Sequence, residues 1–282
     1  MPFLKPLLTV LGLSLLLYGG ACVWLFLGQR QLIFFPDRTL DGTPQEAGIA
    51  YDDVWIPVGE GQIHGWWLPN PEAGELTFLY LHGNAANISQ NLTWALALHR
   101  LGASVLMIDY RGYGLSSGPY PSEAQFYEDA LAAWNYLLQE KDIAAEDVVI
   151  YGHSIGGAVG IHLASQVSQG GGLIVDSSFT SLTAMAKRTG YAAWFPVERL
   201  LTQRFDSLSK VPSITMPVLY IHGEVDTSVP AAMSQQLYAA TRAPKALWLV
   251  PGADHNDVVE QAGEDFQQQI QQFLHRHELM QR

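Results

Sequence analysis

The chain has 282 residues, 48% of them hydrophobic, with 15 Lys and Arg against 27 Asp and Glu for a formal charge of -12. That length suits one large α/β domain with a short appendage, and the apolar share is enough to bury a sheet on both faces. The acidic balance excludes nucleic-acid binding by general phosphate attraction, and the single cysteine, Cys22, leaves the folded domain without a disulfide, a thiolate metal site or a cysteine nucleophile.

The segment from Leu7 to Gly28 (LLTVLGLSLLLYGGACVWLFLG) carries no charge. As a helix rising ~1.5 Å per residue it is about 33 Å long, enough to cross a bilayer. A cleaved signal peptide would need a shorter apolar region and polar sequence after a small-residue site, whereas Val23 to Leu27 stay apolar beyond Gly19-Gly20-Ala21. A lipoprotein signal at Cys22 would want Leu where Gly19 stands. Residues 1–30 are therefore read as an uncleaved, single-pass N-terminal anchor. Its sidedness stays open, since Lys5 and the amino terminus face Arg30 and Arg38. Residues 31–50 read as stub and linker: QLIFFPDR is apolar and broken by Pro36, and Thr39 to Gly48 is polar with Gly and Pro. The folded domain is expected over 51–282.

Eight short apolar runs follow, at Val54–Val58, Ile63–Leu68, Leu76–Leu81, Val105–Asp109, Val148–Tyr151, Leu173–Val175, Val218–Ile221 and Ala246–Val250. Several are continuous rather than alternating, as strands covered on both faces require. Helical patterns lie between them. Ser122 to Gln125 has capping-box spacing, and Phe126, Ala130, Trp134 and Leu137 or Leu138 follow at helical period. The pattern predicts an α/β fold with a mostly parallel eight-stranded sheet flanked by helices, functional groups gathering at the strands' carboxyl ends. The Gln-rich stretch Gln267 to Gln272 reads as a solvated helix face.

G-x-S-x-G occurs twice, at Gly114 to Gly118 and at Gly152 to Gly156. Context decides between them. A nucleophilic serine needs a tight strand-to-helix turn whose small flanking residues permit the bend. Ser154 follows the strand VVIY and precedes small and apolar residues reaching Val167, whereas Ser116 is followed by Pro119-Tyr120-Pro121, which cannot start the helix. Ser154 is the nucleophile candidate and Ser116 a loop residue. The hydroxyl needs an imidazole to take its proton. Of nine histidines, His64, His82 and His222 border strand-end turns, His99 and His162 sit in helical patterns, His153 flanks the nucleophile, and His275 and His277 lie in the polar tail. His255, in PGADHND after the last strand, is the candidate base. Chain order calls for an acid between them, and Asp226 in IHGEVDTSVP is favoured over Asp176 and Glu224, with Asp254 and Asp257 read as loop or cap residues. The backbone N–H groups of Asn84, in LHGNAAN, and of Ile155 are the candidate oxyanion donors, against a reading of His82-Gly83 as only a tight turn. Asn87-Ile88-Ser89 and Asn91-Leu92-Thr93 also spell glycosylation sequons. Zincin, phosphate-loop and intact dinucleotide motifs are missing, Gly112-Tyr113-Gly114 lacking the third glycine.

QLIFFPD, LHGNAANIS, DYRGYGLSSG, GHSIGG, FDSLSK, IHGEVDTSVP and GADHND, spread over residues 31–260, resemble the α/β-hydrolase superfamily, specifically its membrane-anchored abhydrolase-domain branch. The resemblance implies a Ser154, Asp226 and His255 triad and no cofactor. Relatives in this branch are associated with hydrolysis of acyl lipids or of acyl groups on proteins. Ala86 departs from the pattern, where relatives usually carry Gly. Residues 177–217 are expected to form a small cap, in which Trp194-Phe195-Pro196, Leu200, Leu201 and Phe205 suit an acyl chain and ordinary core packing equally. The expected activity is a serine hydrolase at a lipid bilayer reached through residues 7–28, cleaving ester or thioester bonds of a small acyl compound, acyl lipid or acyl protein. Amide or peptide hydrolysis and a catalytically silent scaffold are the alternatives.

Overall fold

The computed structural model describes residues 4–70, 74 and 76–279; residues 1–3 of the expected anchor, 71–73, 75 and the last three residues of the expected folded domain lie outside the described residues. In chain order come α1 (Leu4–Ile33), β1 (Phe35–Pro36), β2 (Asp52–Val58), β3 (Gly61–Leu68), β4 (Thr77–Leu81), β5 (Ala85–Ala86), α2 (Leu92–His99), β6 (Ser104–Ile108) and α3 (Glu123–Gln139). These are followed by β7 (Val148–His153), α4 (Ile155–Gln166), β8 (Gly172–Asp176), α5 (Leu182–Arg188), α6 (Val197–Leu200), β9 (Val218–Gly223), α7 (Ala231–Ala240), β10 (Lys245–Val250), α8 (Val258–Ala262) and α9 (Glu264–Arg276).

Eight strands form one sheet in the order β10-β9-β8-β7-β4-β6-β3-β2, in which β3 runs against both its neighbours and the other pairs are parallel. Every residue of β4, β6, β7 and β8 is buried, which is why their sequences read as continuous apolar runs. Alternate side chains feed opposite faces. Leu79, Leu81 and Ile150 pack with Phe126, Ala130 and Trp134 of α3 and Val159 of α4, while Phe78, Tyr80, Val149 and Tyr151 pack with Trp94 of α2 and Phe266, Ile270 and Phe273 of α9. This is the α/β-hydrolase fold. The chain leaves β4 for β6 on one side and returns to β7 on the other, so the strand order reverses at the β4–β7 pair. Ligands collect beyond the carboxyl ends of strands at such a reversal.

Two expectations change. Residues 31–50, read as stub and linker, are packed on the domain. Phe34 is fully buried, its ring 5.1 Å from Phe126 and 6.1 Å from Phe205. β1 pairs in parallel with β5, Gly114 N donates to Asp37 O at 2.8 Å, and Asp41 N donates to Ser89 Oγ at 3.0 Å. Short apolar stretches gain order from partners distant in sequence, which a local pattern does not record. The expected cap over 177–217 is also narrower. Ser177 to Thr180 at one end and Phe205, Val211, Ile214 and Met216 at the other are buried parts of the core. The overlying piece consists of α5, a 3₁₀ turn over Gly190–Ala193 and α6. Phe205 is thus core packing, whereas Leu201 faces the cavity described below.

α1 is long and apolar enough to cross a bilayer. It continues to Ile33, beyond the expected anchor boundary. Its first turns are exposed, but from Tyr18 onward one stripe meets the overlying segment. Tyr18 donates to Trp194 O at 3.0 Å and stacks on Phe195 at 5.8 Å, Cys22 and Leu25 are half-buried, and Gln29 is buried. The 18, 22, 25, 29 spacing places these residues along one helix face.

Candidate active site

Ser154 sits between β7 and α4 at φ 55° and ψ -119°, a region that residues other than glycine rarely enter. The sharp bend needs bare neighbours. A Cβ on Gly152 would lie 2.2 Å from Gly156 O, and one on Gly156 would lie 2.0 Å from Leu81 O. Both outer positions of this G-x-S-x-G therefore require hydrogen as the side chain. Ser154 N donates to Asp176 O at 2.8 Å, which fixes the elbow to the neighbouring strand. The other motif is occupied differently. Ser116 Oγ donates to Asp109 O at 2.7 Å and accepts from His64 N at 2.8 Å, so it is a buried strut.

His255 Nε2 lies 3.0 Å from Ser154 Oγ, and its Nδ1 lies 2.7 Å from Asp226 Oδ2. The structure thus brings the three sequence candidates into one hydrogen-bonded chain across the ends of β7, β9 and β10. The Asp226 carboxylate is fully buried and its other oxygen accepts from Ser228 N at 2.8 Å and Val229 N at 2.7 Å. Burial by itself would raise its pKa; hydrogen bonds from His222 and His255, with the Val229 amide, hold it well below the usual carboxylate range instead. The rival Asp176 accepts from Trp94 Nε1, Tyr151 Oη and Ser177 Oγ. Glu224 is exposed. Asp254 accepts from the amides of Thr227 and His255, and Asp257 accepts from Asp254 N, so both order the loop that carries the histidine.

Two further histidines support this chain, and neither carried a distinguishing sequence signal. His222 Nε2 donates to Val229 O at 2.8 Å and lies 3.1 Å from Asp226 Oδ2, while its Nδ1 lies 2.7 Å from Ser234 Oγ. A hydrogen on Nε2 satisfies this set and orients the carboxylate. His153 donates from Nε2 to His255 O at 3.1 Å; burial lowers its pKa and favours the neutral ring.

The turn after β4 is pinned from below. His82 Nδ1 lies 2.7 Å from Gly83 O and donates to it, and burial keeps this ring's pKa low. A trans peptide points its C=O and N–H in opposite directions, so the Asn84 N–H turns away from His82. Tyr113 Oη donates to Asn84 O at 2.6 Å, and the Asn84 side-chain amide donates to Ile33 O at the end of α1. Ile155 opens α4, and its N–H is among the first-turn donors that lack an intrahelical acceptor. Ser154 O, on the opposite side of that peptide, accepts from Ser178 Oγ at 2.7 Å. Ala86 adopts φ 72°, which accounts for glycine in the resembled pattern. The sequon residues Asn87 and Asn91 are buried struts: Asn87 Nδ2 donates to Thr39 O at 2.6 Å, and Asn91 Oδ1 accepts from Tyr80 Oη at 3.0 Å.

A cavity of about 760 Å³ opens over Ser154, His255, Asn84 and Ile155. Leu32, Ile33 and Phe35 wall one side, and Leu182, Met185 and Leu201 form its roof. Among the described residues, no group of three or more His, Cys, Asp or Glu side chains is arranged to hold a metal ion.

Residues 75–209 match the family model described as "Serine aminopeptidase, S33". The uncharacterized protein Rv2307c of Mycobacterium tuberculosis is 36% identical over 252 residues, covering 89% of this chain and 88% of that protein. The chain belongs to the α/β-hydrolase superfamily. Protein bem46 of Schizosaccharomyces pombe is 30% identical over 263 residues, covering 89% of this hydrolase and 87% of its own length. The α/β hydrolase domain-containing protein WAV2 of Arabidopsis thaliana is 29% identical over 272 residues, with 88% of each covered. Among solved structures, the Pyrococcus furiosus esterase Pf2001 superposes with a TM-score of 0.73 over 86% of this hydrolase and 98% of that chain, at 24% identity. That likeness concerns the fold.

Proposed function

We propose that this hydrolase is a membrane-anchored serine esterase or thioesterase that cleaves acyl groups from lipids or proteins through an acyl-enzyme on Ser154. The observation that carries this reading is the placement of His255 within hydrogen-bond reach of both Ser154 Oγ and Asp226 Oδ2. In the proposed reaction, His255 Nε2 takes the Ser154 proton as Oγ bonds to the acyl carbon, while Asp226 holds the tautomer and stabilises the imidazolium. The tetrahedral oxyanion is met by the N–H groups of Asn84 and Ile155, where losing one donor typically costs about 2.7 to 4 kcal/mol. His255 returns its proton to the departing alkoxide or thiolate, then activates water that releases the acid and restores Ser154.

The exposed apolar helix α1 supports residues 7–28 as the bilayer segment of an uncleaved, single-pass anchor. The hydrogen bonds that tie its last turns to the domain, Gln29 with Thr202 and Ile33 O with the Asn84 side chain, argue against a signal peptide that is removed. On this reading residues 1–30 are the anchor, and the segment from Phe34 onward belongs with the catalytic domain to its C-terminus.

The description "serine aminopeptidase" favours amide hydrolysis on the same three residues as a second reading. A panel of acyl esters, acyl thioesters and peptide amides, run on the membrane fraction with Ser154→Ala as control, separates the two. Faster turnover of esters or thioesters supports the first reading, and faster turnover of amides supports the second. If a fluorophosphonate fails to label folded wild-type protein, a catalytically silent scaffold is the better account.

A further inference from the structure

A second cavity, of about 410 Å³, lies between α1 and the overlying segment. Its walls are Trp24 and Leu25 on the helix and Phe195, Val197 and Leu200 opposite them. Leu32, Ile33, Ala186, Thr189 and Leu201 line both this groove and the cavity over Ser154. The two spaces are therefore adjacent, and they meet between the last turn of α1, at Leu32 and Ile33, and the overlying segment, at Ala186, Thr189 and Leu201. From Trp24 to Ile33 the groove follows α1 for about 14 Å at ~1.5 Å per residue.

Depth sets what the groove opens onto. Tyr18, which touches Trp194 and Phe195, precedes Gly28 by ten residues, about 15 Å along the helix and half of a ~30 Å hydrocarbon core. If residues 7–28 span the bilayer, the tip of the overlying segment stands within one leaflet. Trp194 and Tyr191 are 76% and 67% exposed there, apolar surface that suits lipid contact. The groove lining is hydrocarbon and aromatic apart from Gln29, Thr189, the Tyr191 hydroxyl and the Trp24 indole N–H. The Gln29 side chain is already engaged, with Oε1 accepting from Thr202 N at 2.7 Å and Thr202 Oγ1 at 2.9 Å.

We propose that the groove between α1 and the α5–α6 segment admits the acyl chain of a bilayer lipid ester sideways from the leaflet, so that the membrane helix is a wall of the substrate site as well as a tether. This rests on the serine-hydrolase and anchor readings above. The lipid's ester carbonyl reaches Ser154 while its chain remains against Leu25, Val197 and Leu200. Burying each methylene of a chain is worth roughly a fourfold factor, so blocking two or three of them lowers long-chain turnover by about ten-fold or more.

The test uses the full chain reconstituted in phospholipid vesicles, with Leu25→Trp and Val197→Trp filling the groove from opposite walls. The readout is the ratio of kcat/KM for hexadecanoyl and acetyl esters of one fluorogenic alcohol, beside fluorophosphonate labelling of Ser154. A fall of about tenfold or more in that ratio for both variants, with labelling retained, supports the proposal. An unchanged ratio overturns it, whether both rates hold or both fall together. Wild-type protein that cleaves the acetyl ester but not the hexadecanoyl ester overturns the groove alone; wild-type protein that cleaves neither and resists labelling overturns the hydrolase reading beneath it. A photoactivatable phospholipid in the same vesicles identifies the source. Cross-links to Leu25 and to residues 195–201 support entry from the bilayer. Cross-links confined to the outer face of α1, at Val23 and Leu27, contradict it even if an acylated peptide is cleaved.

Discussion

The two sides of the active-site cavity are built on different principles. On one side, Ser154, Asp226 and His255 stand beyond the carboxyl ends of the parallel strands β7, β9 and β10, and backbone amides, His222 and His153 fix their orientations. On the other, α1 and the α5–α6 segment meet through a few side chains, chiefly the Gln29 hydrogen bonds and the Tyr18–Phe195 stack. Local opening is easiest where few buried contacts must break. The fold thus separates a rigid edge suited to bond chemistry from an adjustable wall suited to substrate entry.

Perturbing the rigid edge is expected to have the largest effects. Asp226→Asn should lower kcat by about 10⁴-fold, because an amide cannot hold the required histidine tautomer or stabilise its charge. Steady-state rates on an activated ester measure this, and thermal unfolding should change far less. His222→Gln acts one step further out, and a slightly misaimed carboxylate should reduce kcat by roughly 10- to 100-fold. Steady-state rates on the same activated ester measure this, with KM expected to change far less than kcat.

Changes on the adjustable side should register in stability and access before chemistry. Gln29→Leu leaves the Thr202 and Gln203 amides without their acceptor, at a cost of about 1–3 kcal/mol localised to this corner. Hydrogen exchange over residues 200–204 should accelerate while Ser154 remains labelled by fluorophosphonate; a uniform loss of protection across the sheet would erase the proposed distinction. Ala86→Gly works in the opposite direction. Relieving φ 72° should stabilise the turn by up to about 1 kcal/mol after the glycine's added unfolded-state entropy, seen as a higher Tm.

A further expected effect, away from both sides of the cavity, is pH-dependent. Burial, helped by Lys210, lowers the pKa of His162 from 6.5 to about 4 where its ring stacks on Tyr127. Above pH 6.5 the ring is neutral in both folded and unfolded chains. Between 6.5 and about 4 the unfolded chain takes up a proton that the fold refuses, so stability falls as pH falls through that window. His162→Gln should remove part of that slope, at most about one proton's worth.

The rigid edge was also the more legible region. Buried strands declare themselves as apolar runs, and Ser154 is distinguishable from Ser116 in the sequence because only Ser154 lies between a strand and a helix pattern, which is where the structure places it. His222 is not distinguishable in this way, since a histidine beside a strand-end glycine has the same local sequence whether it orients Asp226 or only fills space. The adjustable wall left weaker marks. Phe34 reads as part of an apolar stub until Phe126 and Phe205 surround it, and β1 is too short to show any periodicity. The half-buried stripe of α1 was hidden within a segment apolar all round, where facing lipid and facing protein select similar side chains.

Both sides of the cavity matter to catalysis only if Ser154 is an activated nucleophile with His255 as its base, as proposed above. The most direct test is fluorophosphonate labelling of the full-length protein in membranes, with the modified peptide located and acyl-ester turnover followed in parallel. The account predicts stoichiometric adduct on Ser154, abolished in Ser154→Ala with a turnover loss on the order of 10⁶-fold. Adduct on another residue, or turnover unchanged in folded Ser154→Ala, would contradict it.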